Sequence, residues 1–176
     1  GFAVGPYYAY STLDGDGYDQ RLAVGVSAGR PLTARSSLAI HVAHEDIGNL
    51  DSRFEFVDGS RQLVGLRYLW LEGPHRLHIR YEFSVDDRSG ASVSPIRHGL
   101  RAGYQRQLNA HWIAGAELTL RHSNYDDLTE PRREDLAELA IVVARQISRN
   151  WQLTGEYRYS NNDSNVSEFS YQRHRA

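Results

Sequence analysis

The chain has 176 residues, a formal net charge of −2, 40% hydrophobic and 11% aromatic residues, and neither Cys nor Met. This near-neutral balance gives no electrostatic footprint for nucleic acid, and the lack of Cys excludes disulfides and thiolate metal sites. No apolar run reaches the roughly 18 residues of a transmembrane helix, which leaves open membrane strands, for which about 9–11 alternating residues suffice.

Ten strands are expected in chain order: Phe2–Ser11, Gln20–Leu32, Ser37–Asp46, Gln62–Leu71, Arg76–Val85, Ile96–Leu108, Trp112–Asn124, Leu136–Ile147, Trp151–Ser160 and Glu168–Arg175. Those between Gln20 and Ser160 alternate apolar and polar residues with period 2, as a strand with one apolar face does. The pattern is cleanest in Leu136–Tyr159, where Ala137, Leu139, Ile141 and Val143 alternate with Glu138 and Gln146. Beyond a turn at Ser148–Asn150, Trp151, Leu153, Tyr157 and Tyr159 alternate with Gln152, Thr154, Glu156 and Arg158.

The connections alternate in length. Thr33–Ser36, Glu72–His75, Asn109–His111 and Ser148–Asn150 are short, whereas Thr12–Asp19, Ile47–Arg61, Asp86–Pro95, Tyr125–Asp135 and Asn161–Ser167 are longer and rich in turn-forming residues. Short turns at one end and longer loops at the other are a feature of outer-membrane barrels. The sequence reads as one barrel domain over residues 1–176, either continuing beyond the given chain or forming a piece of an assembly.

Parity divides the side chains into two sets. One is apolar, including Leu22, Val24, Val26, Ile40, Val42, Val64, Leu66, Ile79, Tyr81, Leu118 and Leu120. The other holds Arg21, Arg67, Arg80, Glu82, Arg101, Glu117, Arg121, Glu138, Glu156 and Arg158. In a membrane barrel the first set faces lipid and the second lines the lumen; in a soluble sandwich or lipocalin-like binding module the first would be the core.

The three Trp favour the membrane barrel, with the soluble module as the alternative. Trp70, Trp112 and Trp151 all sit at strand ends beside short turns, forming one interfacial girdle, with Tyr10, Tyr18, Tyr125, Tyr159 and Tyr171 expected in a second. The expected fold is therefore all-β: an antiparallel up-and-down transmembrane β-barrel with ten visible strands. Arg30, Arg106 and Arg145 fall on the lipid parity near the short turns, where a long stem can snorkel towards lipid phosphates.

The segment Tyr157-Arg-Tyr-Ser-Asn-Asn-Asp-Ser-Asn, followed by Phe169-Ser-Tyr-Gln-Arg-His-Arg175, resembles the closing hairpin of bacterial outer-membrane barrels linked to tetratricopeptide repeats. Those barrels belong to surface lipoprotein assembly modifiers and exopolysaccharide-export proteins, and the turns Arg106–Trp112 and Arg145–Trp151 are similar to theirs. The resemblance implies an outer-membrane location in a Gram-negative bacterium and a transport or secretion role without a catalytic residue. The expected partners are membrane lipid, lipopolysaccharide, and an exported cargo or periplasmic partner domain. The alternative is a structural anchor or loop-binding barrel whose lumen is plugged by its own side chains.

Other motifs carry weaker chemistry. Asp14, Asp16 and Asp19 resemble the start of a Ca²⁺ loop but lack the Glu expected at its twelfth position, so no metal or other cofactor is expected. His44-Glu45-Asp46, Asp86-Asp87, His122 and Asp126-Asp127 could act hydrolytically only if they converge at the loop-side rim; as solvated loop charges they make no enzyme.

Overall fold

The computed structural model describes the backbone of residues 1–13, 16–49, 52–126 and 128–176, with the side chains of 2, 6–13, 16–19 and 52–54 left aside. All ten expected strands are present: β1 (Phe2–Leu13), β2 (Asp16–Pro31), β3 (Ser36–Asn49), β4 (Gly59–Glu72), β5 (His75–Arg88), β6 (Ile96–Gln107), β7 (Trp112–Tyr125), β8 (Arg132–Ser148), β9 (Trp151–Ser164) and β10 (Tyr171–Arg175). They form one antiparallel sheet in the order β1 to β10, each strand paired with its sequence neighbour. The described residues contain no α-helix, and none of their helices is long and apolar enough to cross a membrane.

The short turns follow from local chemistry. Glu72 pairs with His75, and Gly73 between them takes φ +52°, a left-handed conformation open to Gly at little cost, ahead of Pro74. At the next short turn, Asn109 Oδ1 accepts hydrogen bonds from the backbone N–H of His111 and Trp112, closing an Asx turn.

The apolar residues lie on the more exposed face. Leu22, Val24, Val26, Ile40, Val42, Val64, Leu66, Leu118, Leu120, Leu139, Ile141 and Val143 are all exposed, while the intervening residues of β2 and β3 are half-buried. A soluble sandwich would show the reverse. We call the apolar face outer and the charged face inner. On β5 the outer apolar band runs Leu77, Ile79, Tyr81, Phe83 and Val85, nine residues of strand, close to the length that crosses a hydrocarbon core.

The strands exceed that span at the loop end. β3 continues to Asn49, β5 to Arg88 and β9 to Ser164, and β8 begins at Arg132, so polar residues read as loops are paired in the ladder. The connection expected over Thr12–Asp19 is largely strand, since β1 reaches Leu13 and β2 starts at Asp16. The tenth strand is shorter than expected because Ser167–Phe169 forms a 3-10 turn. Among the described residues β1 and β10 do not pair with each other, so the ten-stranded sheet is open. β10 covers only Arg158–Asn162 of β9.

The register at the loop end depends on Gly59. Its φ is +145°, and a Cβ there would lie 2.0 Å from the Asp87 carbonyl oxygen on the neighbouring strand. Gly59→Ala is expected to cost on the order of 1–3 kcal/mol through backbone strain alone, read as a lower midpoint for thermal unfolding in detergent. An unchanged midpoint would contradict this packing.

Candidate functional site

The inner face is built by register. Arg67 pairs with Arg80, Arg80 with Arg101, and Arg101 with Thr119, placing one row of side chains across four strands. The row towards the loops holds His41, Gly65, Glu82, Gly99 and Arg121, and the row towards the turns holds His78, Gly103, Glu117 and Arg158. All ten charged residues expected on one parity share this face: half-buried Arg21, then Arg67, Arg80, Glu82, Arg101, Glu117, Arg121, Glu138, Glu156 and Arg158.

Ion pairs organise part of the belt. Arg80 donates to Glu82 at 2.5 Å, and Arg158 bridges Glu138 at 2.5 Å and Glu156 at 2.7 Å. Ser160 donates to the second oxygen of Glu138, and His78 Nε2 meets Glu117 at 3.0 Å. Two glycines make room for imidazoles: a Cβ at Gly65 would fall 1.9 Å from the His41 ring, and one at Gly103 would fall 2.2 Å from the His78 ring. Each ring lies across the bare backbone of the neighbouring strand.

At the loop end, beyond the apolar band, the inner face closes over a buried carboxylate. The Asp86 side chain is 3% exposed, and Arg61 grips it through Nε at 2.6 Å and Nη2 at 2.9 Å. Arg97 adds a bond of 2.8 Å, and Arg88, itself 4% exposed, lies at 3.7 Å. Burial alone would raise the Asp86 pKa; the Arg61 hydrogen bonds and charge, with Arg97 and Arg88, outweigh it and hold the carboxyl below its ordinary value. The sequence reading left Arg61, Asp86 and Arg88 in loops, because an Asp-rich stretch carries a turn signal whether or not its strand continues.

The same end is covered by chain folding inward. Within the segment 89–95, Ser94 Oγ donates to the carbonyls of Arg88 and Gly90, and Pro95 is fully buried. Arg132, on the inner parity of β8, donates to the Ser92 carbonyl and lies between the rings of Tyr125 and Phe169, at 3.8 and 4.0 Å from their centroids. Tyr125 is therefore buried inside, and Tyr171 also takes the inner parity; neither joins an outer girdle. Tyr159 does face outward, against His174. The side chains of Tyr10 and Tyr18 lie outside the described residues.

On the outer face, Trp70, Trp112 and Trp151 all stand at the short-turn end. Trp151 is 73% exposed, and Arg145 sits 5.3 Å from the Trp112 ring centroid. Arg30 and Arg106 share the outer parity, as expected. Among the described residues the His and Asp side chains do not converge on one rim. His44 pairs with Asp46 and His122 with Asp135, both on the outer face, while Asp86 is buried inside. Asp14 and Asp127 lie outside the described residues, as do the side chains of Asp16 and Asp19; among the described residues no His, Asp or Glu cluster could hold a metal ion.

Asp86→Asn would leave three arginines around a neutral group. It is expected to destabilise the protein by on the order of 3 kcal/mol, as breaking a buried ion pair does. Arg35→Gln, which removes an exposed pair with Glu72, should cost under about 1 kcal/mol. The Asp86 contribution is present above the unfolded carboxyl pKa of about 3.9 and is lost as the pH falls through that value towards the lower folded one. Acid unfolding of Asp86→Asn should thus depend less on pH than that of the parent; parallel curves would contradict the assignment.

Neither a curated protein nor a solved structure matches the chain. The sequence family described as Putative beta-barrel porin 2 matches residues 76–176, more than half the chain, from the start of β5 through β10. That stretch contains most of the charged inner belt and, of the buried cluster, Asp86, Arg88 and Arg97 but not Arg61. With an apolar outer face, a charged inner face and consecutive antiparallel strands, the chain belongs to this family of β-barrel porins.

Proposed function

We propose that this protein is an outer-membrane porin-like barrel that carries polar cargo along its Arg- and Glu-lined inner face. The inverted parity is the observation that supports this most: large apolar residues are exposed outside while charges occupy the covered side. A surface of that kind is stable against lipid and costly against water. In hydrocarbon both sheet edges need partners, because unpaired N–H and C=O groups are penalised there; the membrane form is thus a closed structure. Arg21, Arg67, Arg80, Glu82, Arg101, Glu117, Arg121, Glu138, Glu156 and Arg158 line its lumen, and Trp70, Trp112 and Trp151 anchor one interface. Lipid and lipopolysaccharide contact the outer face, and an export role would add a cargo or a periplasmic partner domain. The inward packing of 89–95 and Phe169 favours a lumen restricted at the loop end over a wide pore.

Topology and conduction test this reading. Cysteines placed at Ser89 and Ser148 are both at exposed positions, at opposite ends of the strands. In intact cells the first should react with an impermeant maleimide and the second should be protected. In planar bilayers the protein should pass ions, and Arg80→Ala with Arg121→Ala should alter conductance. Equal labelling, or a protein that stays monomeric in water without detergent, would overturn it.

A further inference from the structure

We propose that Arg67, Arg80, Arg101 and Arg121 form an oxyanion-binding strip on the inner wall of β4–β7, suited to a ligand that carries several phosphate or carboxylate groups. The inference rests on the porin-like reading and deepens it by naming the chemistry of the cargo.

The register carries the argument. Arg67, Arg80 and Arg101 are direct cross-strand partners on three consecutive strands. Like charges placed directly opposite destabilise a sheet, yet no acid interrupts this row, which is flanked by Ala39 and Thr119. Adjacent strands lie about 4.8 Å apart, so the three arginine backbones span about 10 Å. That is the reach of several linked oxyanions and not of one halide ion. Arg121 follows one row on, opposite Gly99.

The local acids do not neutralise this group. Glu82 takes Arg80, and Glu117 lies 3.6 Å from Arg101 Nε while also bonding His78. Arg67 and Arg121 have no hydrogen bond or ion pair among the described residues, and Arg80 Nε is buried without a partner. A cavity of about 280 Å³ is lined by Arg80, Glu82, Gly99, Arg101, Thr119 and Arg121. Gly99 keeps its floor low, since a Cβ there would find only one atom within 4 Å, at 3.8 Å. The opposite case is β8–β9, where Arg158 is already engaged by Glu138 and Glu156. A planar guanidinium fork matches phosphate and carboxylate oxygens in pairs, so unengaged arginines in one strip select oxyanions.

Equilibrium titration of the full chain in detergent, with inorganic tripolyphosphate against inorganic phosphate, tests the strip independently of conduction. Tripolyphosphate should bind at least about tenfold more tightly than phosphate, a difference of about 1.4 kcal/mol. Oligogalacturonate in a parallel titration tells whether the linked oxyanions can be carboxylates. Combined Arg67→Gln, Arg80→Gln and Arg121→Gln should abolish that preference, while Arg145→Gln, on the outer face, should retain it. The triple substitution relieves like-charge repulsion while losing the part-exposed Arg80–Glu82 pair, so its thermal midpoint should change little, and this separates lost binding from lost fold. Equal weak binding of both phosphates, or a preference that survives the triple substitution, overturns the strip. A protein that binds tripolyphosphate yet passes no current in a bilayer contradicts the porin-like reading and supports the strip.

Discussion

Period-2 alternation combined with an unbroken hydrogen-bond ladder governs this molecule. Neighbouring strands pair over nearly their full length, so backbone polar groups are consumed within the sheet and side chains are sorted strictly by parity. Once sorted, the two faces demand different solvents. An outer face of Leu, Val, Ile, Tyr and Trp gains by meeting hydrocarbon, whereas the arginines and glutamates within need water or one another. The open edges of the sheet follow the same rule: in lipid an unpaired strand edge is costly, and closure is what makes a spanning sheet viable.

The inner face changes character along its length. In the middle, charges remain partly solvated and pairs such as Arg80–Glu82 contribute modestly to stability, because water screens them. At the loop end, Asp86 and Arg88 are almost fully buried, and Arg132 is wedged between two rings with its Nη2 bonded to the Ser92 carbonyl. The same residue types therefore act differently by depth. Mid-barrel arginines stay partly solvated beside their acids, whereas the loop-end ones hold the chain that covers them.

The fold was largely legible because period 2 is a direct imprint of sheet geometry. Leu136–Tyr159 alone shows the hairpin, the Ser148–Asn150 turn and both faces. The expected inner charges all share one face for the same reason. Strand ends were not legible. Asp86, Asp87 and Arg88 look like a loop by composition, but pairing with Arg61, Ser60 and Gly59 extends the strand past the apolar band. Continuing the parity of Glu117 and Arg121 places Tyr125 inward, but the expected strand stopped at Asn124 and left Tyr125 to a loop, so its packing beneath Arg132 went unread. The inward fold of 89–95 depends on Ser94 and on Arg132, 37 or more residues downstream of that segment, a contact beyond the reach of local pattern.

Single nitroxide labels placed in turn along Leu77–Val85 of β5 in lipid bilayers test the central claim most directly, because they report the solvent of each face. Odd positions, including Ile79, Tyr81 and Phe83, should be relaxed by membrane-dissolved oxygen, and even positions, including His78, Arg80 and Glu82, by a water-soluble nickel chelate. The two accessibilities should alternate out of phase with period 2. Odd positions shielded from oxygen, or no alternation along the strand, would contradict the account.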